Sequence, residues 1–479
     1  MKKILIFLIT AVIGVSCVDS LEDWNVDPKS ATKVPGAMLF SNALVGYSNA
    51  MVTPNVNSNN YRLYAQYWTT TTYLSEPRYN MTDRLIPQAL WQTMYRDVIS
   101  DLREARKSIE ADAALLPATK SAQLAQIEIV EILAWSTLVN TFGNIPYTEA
   151  MDFANPLPKF DDAKTVYSDL LKRLQAAVAT LKTNSGGFGN ADVFYKGDAQ
   201  KWAKLGNSLL VRMGLMIADV DASTAKQIIS SAVASGVFQS NADALKFPYN
   251  TTLPHVNPVA QNTVTPYTTR QDFIPAATIV DPMKELKDPR ISAFFTTIGG
   301  EYKGGNYGFL NAYSAYSKLG GRITKADEPG VLLDYSETMF ALAEAVERGF
   351  ITGDAQEYYN KGITASMEYW GVSSDAITTY LANPKVAYKT AEGGYKQKIG
   401  FQKWIALFNR GWEGWTEWRR LDYPKLLPPT GSGAPAGLAI PLRVIYPPVE
   451  QGLNGVNYQS AASAIGGDLA TTKLWWDVN

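Results

Sequence analysis

Apolar residues recur at helical spacing along most of this chain, and the helices they predict come in pairs. The spacing gives helices over roughly 88–111, 120–142, 163–182, 199–219, 223–236, 335–349, 354–370 and 401–422. Several begin at an Asp, Ser or Thr whose side chain can accept from the first free amides. In order, 120–142 pairs with 163–182, 199–219 with 223–236 and 335–349 with 354–370, while 401–422 has a less regular partner. Antiparallel pairs repeated in this way resemble tetratricopeptide repeats, whose hairpins stack to bury a common face. The pairs are unevenly spaced, so the pattern predicts a mainly α, repeat-like scaffold without defining its unit.

One stretch, from Phe401 to Pro424, organises the rest. Wound at about 100° per residue, Trp404, Phe408, Trp412, Trp415 and Trp418 share one stripe, with Arg410, Glu413, Glu417 and Arg420 opposite. Aromatics of this size dominate burial energetics, so the stripe reads as core and the charged side as solvated. Gly411 and Gly414 each weaken a helix by about 1 kcal/mol against Ala, which predicts that a second helix approaches closely there.

Between the helices lie three long irregular segments: 237–280, rich in Pro, Asn and Thr; 296–330, rich in Gly and Tyr; and 424–468, rich in Pro and Gly. Loops beyond about 15 residues are usually functional or disordered. Three of them among regular helices predict a loop-built recognition face.

Composition narrows the function. Of 479 residues 46% are hydrophobic, enough for a sizeable core, and a net charge of −1 with no dense basic run excludes a nucleic-acid footprint. His255 and Cys17 are the only His and Cys. Within the chain they exclude a zinc cluster, a disulfide framework and a Cys–His dyad. The 26 Tyr and 12 Trp exceed what a core demands and point to a surface that stacks on something.

At the start, Lys2 and Lys3 precede an apolar run from Ile4 to Val15 that is too short to span a bilayer and has the form of a secretory signal. It ends at Gly14-Val15-Ser16-Cys17, which resembles a bacterial lipobox with Gly14 where Leu is commonest. The expected organisation is a signal over 1–16, a lipid-anchored tether over 17–36 and one helical domain over 37–479. Acyl chains on Cys17, at about 0.8 kcal/mol per buried CH₂, would anchor the protein to a membrane. No later segment reads as a membrane-spanning helix.

Catalytic chemistry finds little support. Glycoside hydrolysis needs two carboxylates about 5–10 Å apart in one cleft. The nearest pairs by spacing, Glu344 with Glu347 and Glu413 with Glu417, read as surface charge with no apolar pocket to raise one pKa. His255 reads as a hydrogen-bonding loop residue. There is no Gly-x-Ser-x-Gly elbow and no phosphate-cradling loop. Asp219-Val-Asp221-Ala-Ser223 opens like a calcium loop, but Thr224 stands where Gly is required, and no metal or cofactor is expected.

Binding is the stronger reading. Residues 61–79 carry Tyr64, Tyr67, Trp68, Tyr73 and Tyr79, and residues 299–316 carry Tyr302, Tyr307, Phe309, Tyr313 and Tyr316. A flat ring stacks on the CH face of a pyranose while polar neighbours bond its hydroxyls. Taking about 0.5–1.5 kcal/mol per stacked ring, less ordering costs, affinity falls in the micromolar to millimolar range. Tyr64 and Tyr67 read equally well as loop packing. Trp68, Tyr73, Tyr302, Tyr307 and Tyr313 are the candidate ligand contacts.

A family resemblance runs through the chain in order. It covers Asn25-Val26-Asp27-Pro28, Val34-Pro35, Met38-Leu39-Phe40, Gln66-Tyr67-Trp68 and Gly143-Asn144-Ile145-Pro146-Tyr147-Thr148-Glu149-Ala150. It continues through Glu413 to Leu421, Arg443-Val444-Ile445-Tyr446-Pro447, Gly466-Gly467-Asp468 and Trp475-Trp476-Asp477. Together these resemble the SusD/RagB-type nutrient-binding outer-membrane lipoproteins, nearest the SusD-like branch. The resemblance implies a tetratricopeptide-like scaffold, a cell-surface location, an oligosaccharide or peptide ligand, and a SusC-type TonB-dependent transporter as partner. Two rival readings are a surface-attached hydrolase, which would turn over a glycan, and an envelope scaffold, which would bind proteins and retain no small ligand.

Overall fold

The computed structural model describes residues 34–152 and 154–478. The expected signal, Cys17 and the tether up to residue 33 lie outside the described residues. Helix α1 spans Gly36–Val52, and α2 is a single turn, Tyr61–Tyr64. Helix α3 runs without a break from Ile86–Gln92 through a π segment, Thr93–Ile99, into Ser100–Ala111. Then come α4 (Pro117–Phe142), α5 (Ala163–Thr183), α6 (Ala199–Met216) and α7 (Ala222–Ser235). The scaffold continues with α8 (Tyr335–Glu347), α9 (Ala355–Tyr369), α10 (Tyr395–Ala406) and α11 (Gly411–Leu421), and shorter helices, Pro448–Leu453 and Gly455–Ala464, interrupt the last of the segments expected to be irregular. Aspartates start five of them as the sequence suggests: Asp162, Asp198, Asp221, Asp334 and Asp354 each accept from amides of the first turn.

Consecutive helices pack as hairpins: α4 with α5, α6 with α7, and α8 with α9. Helix α5 also packs on α6, and α6 on α8, so the hairpins stack into a tetratricopeptide-like scaffold. Helix α4 corrects one expectation, since by length and composition it could cross a membrane. Every residue from Ile129 to Phe142 is instead buried within the protein.

The stretch 401–422 is two helices, not one. Asn409 is left-handed (φ 73°) and reverses the chain, so α10 and α11 form their own hairpin. The core reading of the tryptophans stands. Trp404, Trp412 and Trp415 are buried, and their indole N–H groups donate to Ala65 O, Thr141 Oγ1 and Pro441 O. The close approach at the glycines is also present: a Cβ on Gly411 would lie 2.4 Å from the Arg62 backbone N, and one on Gly414 2.3 Å from the Tyr67 hydroxyl. The approaching element is α2 with the turn after it.

The charged side of this stretch is not solvated. Arg410, Glu413, Glu417 and Arg420 are buried, as is Glu344 on α8, while Glu347 is exposed. Glu337 receives Arg212 at 2.6 Å and Arg410 at 2.6 Å. Glu344 receives both Arg420 nitrogens at 2.6 Å and Arg348 at 2.8 Å. Glu417 receives Arg420 at 2.7 Å and Lys403 at 2.8 Å. These pairs bolt α6, α8, α10 and α11 together across the core. Arg410, Glu417 and Arg420 thus find opposite charges on neighbouring helices instead of water, and Glu413 lies 3.6 Å from Arg410.

The network sets a pH dependence. Although burial opposes ionisation, Arg212 and Arg410 hold Glu337 well below the carboxylate range, and Arg420 holds Glu344 at about 2. Groups with depressed values stabilise the fold fully above their unfolded value, about 4.3, and that stability is lost as the pH falls toward 2. Burial pushes Asp477 the other way, up to about 6, so its contribution is lost as the pH rises through 6. The thermal midpoint is expected to peak near pH 4.5, to decline toward pH 6 and to fall steeply below 4. Scanning calorimetry checks this; a midpoint unchanged from pH 5 to 3 contradicts it.

Candidate ligand-binding face

Against this scaffold lie four segments far apart in sequence. Strand β1 (Trp68–Thr70) pairs antiparallel with residues 273–275, with Trp68 opposite Pro275 and Thr70 opposite Phe273. The Gly305 amide donates to Pro275 O at 2.8 Å, and the Ala277 amide to Gly305 O at 2.8 Å, which lays 303–318 alongside. The buried Asn311 amide donates to Thr70 O at 3.2 Å and to Phe309 O at 2.7 Å. From the first segment, Gln66 donates to Leu427 O at 2.8 Å, and Arg78 to Gly308 O at 2.9 Å and Gly433 O at 2.6 Å. The two aromatic segments singled out in the sequence therefore meet.

They do not present all their rings. Trp68 is fully buried, 5.4 Å from Phe273 and under the Arg62 guanidinium at 5.1 Å. Tyr307 is 9% exposed and its phenol donates to Leu63 O at 2.6 Å. Burial pushes that phenol well above its ordinary value. Both are corrections to the expected contacts: these rings support the face from beneath. The reason is that residues 61–70 are buried throughout, sandwiched between α11 and the loop layer. Tyr64 and Tyr67 are core as well, packed on Trp415 and Trp404.

Tyr73, Tyr302 and Tyr313 are half-exposed, as are Phe309 and Tyr316, and Leu310 between them is exposed. Over the Tyr73 ring lie the guanidinium groups of Arg84 at 4.5 Å and Arg270 at 5.4 Å. Arg84 is paired with Glu76 and Arg270 with Asp272. The Lys318 ammonium sits 4.2 Å from the Tyr313 ring centre and Lys303 5.1 Å from Tyr316. No such cation covers Tyr302 or Phe309 among the described residues. Sequence reasoning missed Arg84, Arg270, Lys303 and Lys318. Only the two lysines lie beside an aromatic segment in sequence, and nothing in the pattern aims the arginines at Tyr73.

None of these rings lines the open clefts, which lie elsewhere: one of about 450 Å³ is bounded by Arg106, Leu124, Glu128 and Arg173, and two more flank other elements. One, of about 420 Å³, lies between α1, the π segment of α3 and the loop bearing Tyr249, His255 and Gln261. The other, of about 550 Å³, is bounded by Leu286, Lys385, Thr390 and Phe401. A narrow, partly open cavity of about 40 Å³ beside Arg410 and Glu413 has room for a water but not for a sugar, since ligand pockets run to about 300–1,000 Å³. Among the described residues no group of three or more His, Cys, Asp or Glu could hold a metal. The calcium-like opening is otherwise occupied: Asp221 caps α7, and Asp219 receives Arg348 and Lys396.

The family described as SusD-like, starch-binding and associating with the outer membrane, matches residues 28–447. No curated protein matches. Among solved structures, a chitin-binding protein is 27% identical with a TM-score of 0.80, over 93% of this chain and 99% of that one. A chitin-binding SusD homologue from Flavobacterium johnsoniae is 26% identical with a TM-score of 0.76, over 92% and 99%. A SusD-like protein from Bacteroides thetaiotaomicron is 25% identical with a TM-score of 0.78, over 93% and 99%.

Proposed function

We propose, from the premise that this chain belongs to the SusD-like family, that it captures a nutrient oligosaccharide at the cell surface and passes it to a transporter in the outer membrane. The observation that carries this reading is the loop face, where half-exposed Tyr73, Tyr302 and Tyr313 stand on a rigid base of buried rings. A shallow face suits a polymer chain held weakly enough to be handed on. A signal over 1–16 and acyl chains on Cys17 would moor the body to the membrane through the tether. The transporter would be of the SusC type, TonB-dependent, with this protein closing over its mouth. A peptide is the other ligand class that such a face could hold.

The hydrolase alternative loses its carboxylates. Glu344, Glu413 and Glu417 are closed into buried ion pairs, out of reach of a glycan. Incubation with candidate polymers is expected to give no product, and turnover by the pure protein would defeat the binding reading.

An array of glycans and peptides, probed with the soluble form lacking residues 1–17, tests the proposal and identifies the ligand. Tyr302→Ala is then expected to weaken retention about three- to tenfold, the worth of one stacked ring, with the melting temperature nearly unchanged. Trp68→Ala acts differently, costing about 3–5 kcal/mol of stability as an emptied core position. Unchanged retention in Tyr73→Ala, Tyr302→Ala and Tyr313→Ala together would retire this face as the site.

A further inference from the structure

The half-exposed tyrosines of the loop face are mostly not bare. Two guanidinium groups lie over Tyr73, and ammonium groups over Tyr313 and Tyr316. A ring covered by a cation offers a ligand the cation's head in place of its π face. Among the acids of this region, Glu76 pairs with Arg84 and Asp272 with Arg270, Glu301 stands 3.8 Å from Lys284 at the surface, and Asp83 bonds the Ser75 hydroxyl and keeps its charge. The two lysines have no carboxylate partner among the described residues. Lys303 is exposed, and Lys318 donates to the backbone oxygens of Tyr313 and Tyr316. An ammonium has three protons, so one on Lys318 remains for a ligand. Burial without a countercharge holds that ammonium below the ordinary lysine value. The chain as a whole carries a net charge of −1, so this local surplus of cations does not reflect a basic protein.

We infer that the loop face selects an acidic oligosaccharide, one whose uronate carboxylates recur along the chain, with Lys303 and Lys318 meeting the carboxylates and Tyr302 and Phe309 supplying the apolar contact. Arg84 and Arg270 at Tyr73 are already paired with carboxylates, so the two lysines at Tyr313 and Tyr316 are the cations left to meet successive uronates. This inference rests on the reading of the face as the ligand site, and it departs from the chitin named for two of the similar structures.

Calorimetric titration of the form lacking residues 1–17, which keeps every described residue, with tetragalacturonate and with chitotetraose separates the possibilities. Tetragalacturonate is expected to bind at least about tenfold more tightly at about 20 mM salt and to lose several-fold at about 300 mM, where screening is strong. Lys303→Gln, at an exposed position with no carboxylate partner among the described residues, should remove part of the preference without moving the melting temperature, and Lys303→Gln with Lys318→Gln most of it. Equal binding of the two oligosaccharides, or a preference that both lysine variants keep, overturns the inference and leaves the site reading intact. Binding of neither overturns the inference, and the site reading is then decided by the Tyr73→Ala, Tyr302→Ala and Tyr313→Ala variants.

Discussion

Glu344→Gln is expected to destabilise the protein by about 3–5 kcal/mol, whereas Glu347→Gln changes stability by less than about 0.5 kcal/mol. The two carboxylates lie three residues apart on α8, and helical spacing alone treats them alike. Glu344 is fully buried and accepts both Arg420 nitrogens at 2.6 Å and Arg348 at 2.8 Å. Its removal leaves Arg420 in the core with only Glu417 to oppose it, and the cost is that of an under-compensated buried charge. Glu347 is exposed and accepts a single phenol, from Tyr388 at 2.7 Å. Equilibrium denaturation of the two variants measures the difference. Equal losses would mean that the ion-pair bolts across α6, α8, α10 and α11 add nothing to the fold.

The contrast between these residues shows where one-dimensional reading stops. Apolar spacing located α4 to α9 to within a few residues, because each helix buries a stripe whatever it packs against. It misread the polar side of α11, because polarity predicts water only when no opposite charge is at hand. Here Arg212 comes from α6, Glu337 and Glu344 from α8, and Lys403 from α10, and no local pattern announces their arrival. One local signal was present: Arg410 and Arg420 are both arginine, the cation suited to buried pairing. The loop face was legible in the same partial way. Ring-rich segments around Tyr73 and Tyr302 pointed to it, but which rings face outward depends on pairing between β1 and residues 273–275, about two hundred positions apart. Trp68 looked like a contact and is a support.

Gly411→Ala is expected to cost about 1–3 kcal/mol and to weaken ligand retention, although residue 411 touches no part of the loop face. The added methyl would lie 2.4 Å from the Arg62 backbone N and 2.8 Å from Tyr61 C. Backbone atoms cannot swing aside as a side chain can, so either α2 or the start of α11 must shift. The Arg62 side chain resists a shift of α2, since it donates to Asn409 O at 2.7 Å and Val52 O at 2.9 Å. Displacing α2 also displaces β1 and Tyr73 just beyond it in the chain, and with them the Asn311 bond that holds the second aromatic segment in place. Tyr302→Ala should therefore lose retention at constant melting temperature, while Gly411→Ala loses both. Differential scanning fluorimetry and retention on an immobilised ligand, run on both variants, distinguish a lost contact from a lost foundation. Full retention by a destabilised Gly411→Ala protein would mean that the face holds its shape independently of α2. The bonds from Gln66 to Leu427 O and from Tyr67 to Trp404 O argue the reverse, since both tie the turn after α2 to its surroundings on either side.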